Sequence, residues 1–325
     1  MELQDRTTAP ATPDDAAMLA ETRAFNAQLE ALLATMPSAH TVPAEVTRRA
    51  RREGRGIFPP PEFVPHARDV SIPARSGDLR VRLIPPRQGA TAGVYLHFHG
   101  GGWTLGAADL HDRELAELAD ATGLCVASVD YRLAPEHPYP AGPDDCEDAA
   151  LWLLDRGAAE AGAPARFTVG GESAGAHLAA VTLLRLRDRH GVTGAFAAAN
   201  LTFGCFDLSM TPSQRLWGER NLVLSDPVLR WFGNNFLPVE DMEARRDPDV
   251  SPLFARLHGM PPAIFTVGTL DALLDDSLFM EARWRQAGAL TELRVWPEAV
   301  HGFTAYPLAV SRAAHAAITD FLRRA

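Results

Sequence analysis

Cysteine is scarce in this chain, and long apolar runs are absent from it. The three cysteines, Cys125, Cys146 and Cys205, are an odd number and lack the spacing of a metal site. We therefore expect no metal site. Cys125 falls in a predicted strand and Cys146 in a predicted helix, so we expect both to be small buried side chains. No stretch approaches about 18 uninterrupted apolar residues, and the N-terminus has no apolar core, so we predict no membrane span and no secretory signal. These features together favour a cytoplasmic protein.

Positive charge is also in deficit. The chain has 31 Lys and Arg residues against 41 Asp and Glu residues, a net charge of −10, and the charges are spread along it. This balance argues against nucleic acid or an anionic membrane as the main partner. The one basic cluster, at residues 48–52, is interpreted as the solvated face of a short helix.

Apolar runs and helical patterns alternate along most of the chain. The predicted strands are 69–72, 79–84, 94–98, 125–130, 167–170, 195–203, 263–268 and 292–296. The predicted helices are 109–122 (capped by Asp109), 143–161 (with Pro143 first), 174–189, 276–287 and 307–323. The first two strands form a hairpin. Strands that alternate with helices predict an α/β fold with a largely parallel sheet covered on both faces.

Two segments interrupt this alternation. Residues 1–55 have helical patterns, and residues 204–257 are rich in Trp, Phe, Pro and Asn. We expect both to form a cap over the strand ends, where α/β sheets place their sites, and the alternative is a pair of structural excursions. The core would then comprise residues 56–203 and 258–325.

The pentapeptide Gly171-Glu172-Ser173-Ala174-Gly175 lies between a predicted strand and a predicted helix. A G-x-S-x-G sequence in this setting is typical of a nucleophile elbow, in which a sharp turn exposes the serine hydroxyl. The following helix directs its N-terminal amides toward charge that develops on a substrate oxygen. The pattern therefore predicts that Ser173 is a nucleophile.

A serine nucleophile needs an oxyanion hole, and a glycine triplet is suitably placed to form one. His99-Gly100-Gly101-Gly102 directly follows a predicted strand. We expect the amides of Gly101, Gly102 and Ala174 to bind the oxyanion. His99 would brace the loop, with Gly100 and Glu172 as further members of the motifs.

The serine also needs a base and an orienting carboxylate. Asp271 and His301 each follow a predicted strand, and the order Ser173, Asp271, His301 is that of α/β-hydrolase triads. Asp275 and Asp276 are rival carboxylates that are better interpreted as helix N-terminal acids.

These motifs resemble the hormone-sensitive-lipase family of α/β-hydrolases, the bacterial family IV esterases. The resemblance covers the chain from about residue 65 onward. It rests on residues 99–103, 130–137, 140–141, 171–175, 271–273 and 301–303. It implies a mostly parallel eight-stranded sheet with a helical cap, and hydrolysis of short- to medium-chain carboxylic esters without a cofactor. It also implies dimerisation near the last strand and helix. Glu172 and Ala272 depart from the residues usual in the family, but neither departure removes a reacting group.

The resemblance leaves the substrate open. A lactonase, amidase, formamidase or carbamate hydrolase would use the same machinery, and a non-catalytic ligand-binding receptor is a remote alternative because His301 is present. Four aromatic residues are candidates for lining the substrate pocket, although core packing is the favoured interpretation of each: Trp103, Phe206, Trp217 and Phe303.

Overall fold

Eight strands form a single sheet in the computed structural model, which describes residues 13–325. Residues 1–12 of the predicted N-terminal segment lie outside the described part. The strands are β1 (Arg68–Ala74), β2 (Gly77–Ile84), β3 (Gly93–Phe98), β4 (Leu124–Val129), β5 (Phe167–Glu172), β6 (Phe196–Thr202), β7 (Ala263–Leu270) and β8 (Thr291–Val300). Their order is β1-β2-β4-β3-β5-β6-β7-β8. Only the β1–β2 and β2–β4 pairings are antiparallel, so the predicted mostly parallel eight-stranded sheet is confirmed.

Helices cover both faces of this sheet. They are α1 (Pro13–Leu33), α2 (Ala44–Arg52), α3 (Asp112–Thr122), α4 (Ala141–Trp152), α5 (Ala158–Glu160), α6 (Ala174–His190), α7 (Pro212–Trp217), α8 (Asp226–Phe236), α9 (Met242–Arg245), α10 (Leu274–Gln286) and α11 (Ala309–Arg324). A π-helical turn, Leu153–Gly157, joins α4 to α5.

The alternation of side chains along β3 separates two cores. Leu96 and Phe98 belong to a large apolar cluster with residues of α4, α6 and α10. Tyr95, on the other face, packs in a smaller cluster with residues of α3 and α11. The sheet therefore has a face covered by α4, α6 and α10 and a face covered by α3 and α11, as expected for strands with helical crossovers.

The starts predicted at 276 and 307 each differ by two residues from those of α10 and α11, and the two helices with an assigned cap or first residue also begin elsewhere. α3 begins at Asp112, because the Asp109 carboxylate is engaged by Arg52, with N–O distances of 3.0 and 3.2 Å, and does not cap the helix. α4 begins at Ala141, so Pro143 is its third residue.

The basic cluster at 48–52 is not simply a solvated helix face, which corrects the interpretation from the sequence. Arg48 donates to the carbonyls of Thr104 and Ala134 at 2.6 and 2.7 Å, and it forms an ion pair with Glu136. The guanidinium of Arg51 lies over the Phe58 ring at 5.0 Å from the ring centre. These contacts attach α2 to the loops that follow β3 and β4, a long-range arrangement that sequence periodicity does not report.

Cys125 and Cys146 are buried, as predicted, and Cys205 is buried as well; all three are free thiols. Among residues 13–325, no helix is both long enough and apolar enough to cross a membrane.

Candidate active site

The G-x-S-x-G pentapeptide forms the connection between β5 and α6. Ser173 has φ 58° and ψ −118°, a strained conformation for a residue with a side chain. A Cβ atom on Gly171 or Gly175 would lie 2.1 or 1.8 Å from the Phe98 carbonyl oxygen. The two glycines are therefore required for the close approach of this turn to β3, whereas the positive φ falls on Ser173 itself.

Ser173, His301 and Asp271 form a hydrogen-bonded chain. The Ser173 Oγ atom lies 2.9 Å from His301 Nε2, and His301 Nδ1 lies 2.9 Å from Asp271 Oδ2. Asp271 and His301 follow β7 and β8, two adjacent parallel strands, so both side chains reach the same sheet edge as the tip of β5.

The surroundings of Asp271 fix its carboxylate. Its other oxygen, Oδ1, accepts the backbone N–H of Leu273 at 2.8 Å, and the residue is only 2% exposed. The Phe203 ring contacts the His301 imidazole edge to face, with a centroid distance of 4.8 Å. A carboxylate held in this way selects the His301 tautomer that carries its proton on Nδ1 and leaves Nε2 free to accept from Ser173.

The loop after β3 and the start of α6 bring three backbone amides to the cavity that contains Ser173. Gly101, Gly102 and Ala174 line this cavity, and their N–H groups have no acceptor among residues 13–325. Gly102 has φ 58°, and a Cβ atom there would lie 2.2 Å from the Phe232 ring. Glycine is therefore required at this position both by the backbone and by the packed aromatic ring.

His99 lies beneath this loop and is fully buried. Its ring stacks on Tyr131, with 4.2 Å between the ring centres, and the Tyr131 hydroxyl donates to the His99 carbonyl at 2.7 Å. Burial lowers the pKa of His99 to about 4, so the imidazole is neutral near pH 7. These contacts are those of a bracing residue.

Glu172 links the elbow to the glycine loop. Its Oε1 atom accepts the Gly100 N–H at 2.7 Å, and Oε2 lies 2.9 Å from His97 Nε2. His111 Nε2 lies 3.6 Å from Oε1. Burial opposes ionisation of this carboxyl, but the two histidines and the Gly100 N–H outweigh it and lower the pKa of Glu172 to about 2. The sequence identified Glu172 as an unusual residue but did not predict this link.

A cavity of about 950 Å³ contains the serine and its partners. Trp103 lines it, as predicted, but Phe206, Trp217 and Phe303 do not. Phe206 is fully buried against Phe265, and Phe303 is buried against Phe203.

Trp217 is half-buried in the segment between β6 and β7, where its indole N–H donates to the carbonyls of Arg220 and Leu224. Sequence reasoning missed several aromatic residues that line the cavity, among them Phe58, Phe203 and, on α8 beside Gly102, Phe232. A weak signal for Phe232 was the helical pattern of 226–236.

The rival acid Asp276 has a structural function that its helical position did not suggest. It is fully buried, and its carboxyl accepts the backbone N–H groups of Phe206 and Asp207, the Thr211 hydroxyl and the Gln214 amide. Burial raises the pKa of this carboxyl to about 7, and the four donors oppose that rise. Asp276 thus attaches the start of the β6–β7 segment to α10. Among residues 13–325, the carboxylate that bonds to His301 is that of Asp271, not that of Asp276.

Comparison with known proteins agrees with this geometry. A family model described as the alpha/beta hydrolase fold matches residues 95–305, more than half of the chain. The chain belongs to this family. Within the family, this α/β-hydrolase is similar to the hormone-sensitive-lipase-like esterases, which are the bacterial family IV.

Three relatives illustrate the similarity. The carboxylesterase NlhH of Mycobacterium tuberculosis is 35% identical over 295 residues, covering 89% of this chain and 91% of that protein. The carboxylic ester hydrolase LipN of the same organism is 35% identical over 251 residues, covering 76% of this chain and 66% of that protein. The solved structure of a hyperthermophilic esterase from Pyrobaculum calidifontis has a TM-score of 0.83 and 28% identity, covering 97% of this chain and 99% of that one.

Proposed function

We propose that this α/β-hydrolase is a serine carboxylesterase that cleaves short- to medium-chain carboxylic esters through an acyl-serine intermediate. The observation that carries the proposal is the chain Ser173–His301–Asp271, with both hydrogen bonds at 2.9 Å, in one cavity with the amides of Gly101, Gly102 and Ala174. The relatives named as carboxylesterases support the same reaction class.

Acylation begins with the serine hydroxyl. His301 Nε2 accepts the proton of Ser173 Oγ as that oxygen attacks the ester carbonyl, and Asp271 stabilises the imidazolium that forms. The negative charge on the tetrahedral oxygen is bound by the amides of Gly101, Gly102 and Ala174. The alcohol then leaves with the proton from His301.

Deacylation repeats these steps with water as the nucleophile. His301 accepts a proton from water, the water oxygen attacks the acyl carbon, and the same three amides bind the second oxyanion. The acid leaves when Ser173 Oγ takes back the proton. All charges that develop are balanced by groups already fixed in the site, so the reaction needs no cofactor.

The segments outside the alternating core support a cap. Of the predicted cap segment 1–55 we assign the described residues 13–55 to the cap, together with residues 204–257, and we assign residues 56–203 and 258–325 to the core. Val46 on α2 and Val228 and Phe232 on α8 line the cavity beside the core residue Trp103. These side chains are apolar, so they favour contact with the hydrocarbon portion of a small ester.

Two further expectations remain part of this proposal. β8 is an edge strand, and Leu290 just before it and Val295 within it are 77% and 39% exposed, which favours pairing of two copies along this edge. Analytical ultracentrifugation tests the dimer.

The three unpaired, buried thiols suit a reducing compartment such as the cytoplasm.

The test of the proposed function is hydrolysis of p-nitrophenyl esters with acyl chains from two to sixteen carbons, compared between the wild type and Ser173→Ala. We expect turnover to be highest with short chains and to be lost in the variant. Activity on amides, lactones or carbamates, without activity on these esters, would contradict the carboxylesterase assignment. Activity that persists in a folded Ser173→Ala variant would contradict the role of the serine.

A further inference from the structure

The cavity that contains Ser173 continues beyond Glu172, along the sheet face that α3 and α11 cover. On that side it is lined by Tyr95 and His97 of β3 and by Asn200 and Thr202 of β6. The opposite wall is formed by residues of α3 and α11, including Leu115 and His315. We call this part of the cavity the second arm, to distinguish it from the part that residues of α2 and α8 line.

The second arm reaches the protein surface between α3 and α11. Glu117 on α3 and Ala316 and Asp320 on α11 line it and are exposed. Ala121, near the end of α3, also lines it and is half-buried. The cavity therefore has a mouth at this helix pair in addition to the arm beneath the cap segments.

The two arms differ in chemistry. Beside Trp103, the arm under α2 and α8 is lined by aliphatic and aromatic side chains such as Val228 and Phe232, and farther from Trp103 by the arginines Arg51 and Arg230 of the same two helices. The second arm is partly apolar on its helix side, at Leu115, Leu118 and Ile318, but its sheet side is polar. There the Asn200 amide donates to the Tyr95 hydroxyl at 3.2 Å, and the Thr202 hydroxyl donates to the Asn200 Oδ1 atom at 3.0 Å. A polar wall of this kind offers water the hydrogen bonds that an apolar wall cannot.

We propose that the second arm is a hydrated side passage that supplies the water for hydrolysis of the acyl-serine while the acyl group fills the apolar arm. The inference rests on the proposed esterase function. In the step it serves, the oxygen of a passage water bonds to the acyl carbon and its proton goes to His301 Nε2. The bond between the acyl carbon and Ser173 Oγ then breaks, and that oxygen recovers the proton.

The charge of the passage favours a neutral molecule. Glu172 is at its inner end, Glu114 lies along its wall, and Glu117 and Asp320 are at its mouth. These carboxylates repel the anion of a carboxylic acid, so the acid product is expected to leave beneath the cap. Water carries no charge and bonds to both the acidic and the histidine side chains of the wall.

The test closes the mouth without altering the catalytic groups. In Ala316→Cys the new thiol is exposed, whereas the three native cysteines are buried, so a methanethiosulfonate with a bulky aromatic group is expected to label position 316 alone. A reducing agent removes the label, and the same sample then serves as its own reference. Ala282→Cys is the matched control, because Ala282 is an exposed alanine on α10, which covers the other sheet face.

The measurement separates the two halves of the reaction with p-nitrophenyl butyrate. Rapid-mixing spectroscopy gives the rate of acylation, and mass spectrometry of quenched samples gives the fraction of protein that carries an acyl group. Labelling at position 316 is expected to lower the deacylation rate about tenfold and to leave the acylation rate unchanged. The fraction of protein that carries an acyl group should therefore rise. The reductant should restore the original rate, and labelled Ala282→Cys should behave as the wild type.

The double variant Ala121→Trp/Ala316→Trp repeats the test without a reagent. The inference is overturned if labelled Ala316→Cys and the double variant both deacylate at the wild-type rate. It is also overturned if acylation slows as much as deacylation, because a supply of water acts on the second half-reaction alone. A wild type that forms no acyl-enzyme would instead overturn the proposed function, and the side passage with it.

Discussion

Replacement of Glu172 tests how the elbow positions the oxyanion loop. In Glu172→Ala the Gly100 N–H loses its acceptor at 2.7 Å, and His97 loses a partner at 2.9 Å. A hydrogen bond to a charged group contributes about 1.5–3 kcal/mol, and a buried amide left without an acceptor costs a similar amount. Gly100 precedes the two glycines whose amides bind the oxyanion, so its displacement moves the hole itself.

The expected loss of activity follows from this energy. If the full 1.5–3 kcal/mol is lost from transition-state binding, kcat falls by about 10- to 100-fold, while KM changes little. Removal of one oxyanion donor outright costs about 10²–10³-fold, which sets an upper bound. Glu172→Gln retains an oxygen for the Gly100 N–H and is expected to keep most of the activity.

Steady-state kinetics on p-nitrophenyl butyrate, with circular dichroism to verify folding, measures both variants. Leu216→Ala is a suitable control because Leu216 is 86% exposed and does not line the cavity. A folded Glu172→Ala variant with the wild-type kcat would refute the argument that Glu172 positions the loop. Equal losses in the Ala and Gln variants would show that charge, and not the Gly100 hydrogen bond, is responsible.

Three other predictions concern Asp276, Gly102 and the ionisation of Glu172. Asp276→Ala leaves four donors without their acceptor and is expected to lower the free energy of unfolding by about 3 kcal/mol in urea titration; an unchanged midpoint would contradict this. Gly102→Ala places a methyl group against Phe232 and should lower kcat, and the double variant with Phe232→Ala should recover part of it. The pKa of Glu172 is depressed to about 2 in the folded state from 4.5, so its stabilisation is present above pH 4.5 and is lost as the pH falls toward 2. Acid unfolding of Glu172→Gln should therefore depend less on pH in this range than that of the wild type.

The meeting of Ser173, Asp271 and His301 could be predicted from the sequence for a simple physical reason. Each residue directly follows a run that forms a parallel strand, and the ends of parallel strands lie at one edge of the sheet. Strand periodicity and the order of the motifs therefore contain the information needed to bring the three side chains together. Their catalytic roles remain predictions.

The aromatic side of the pocket could not be predicted in this way. Residues 204–257 have short helices joined by irregular turns, so no single period indicates which side chains face inward. Phe206 packs beneath this segment against Phe265 of β7, while Phe232 on α8 reaches the cavity. The direction of each ring is decided by contacts with distant strands and helices.

The charged residues show the same limit. A run of arginines is usually solvated, but Arg48 donates to carbonyls 56 and 86 residues away in the chain. An acid in the first turn of a helix usually interacts with the helix dipole, but Asp276 binds the backbone of Phe206 and Asp207. These partners are distant in the sequence, so the residue pattern around each arginine or acid does not indicate them.

The most direct test of the proposed mechanism is the mass of the protein quenched in acid during turnover of p-nitrophenyl butyrate, followed by peptide mapping. The mechanism predicts one butyryl group per chain, attached to the peptide that contains Ser173, and none in Ser173→Ala. An ester that is hydrolysed at the wild-type rate while Ser173 remains unmodified, or an acyl group found on another residue, would contradict it.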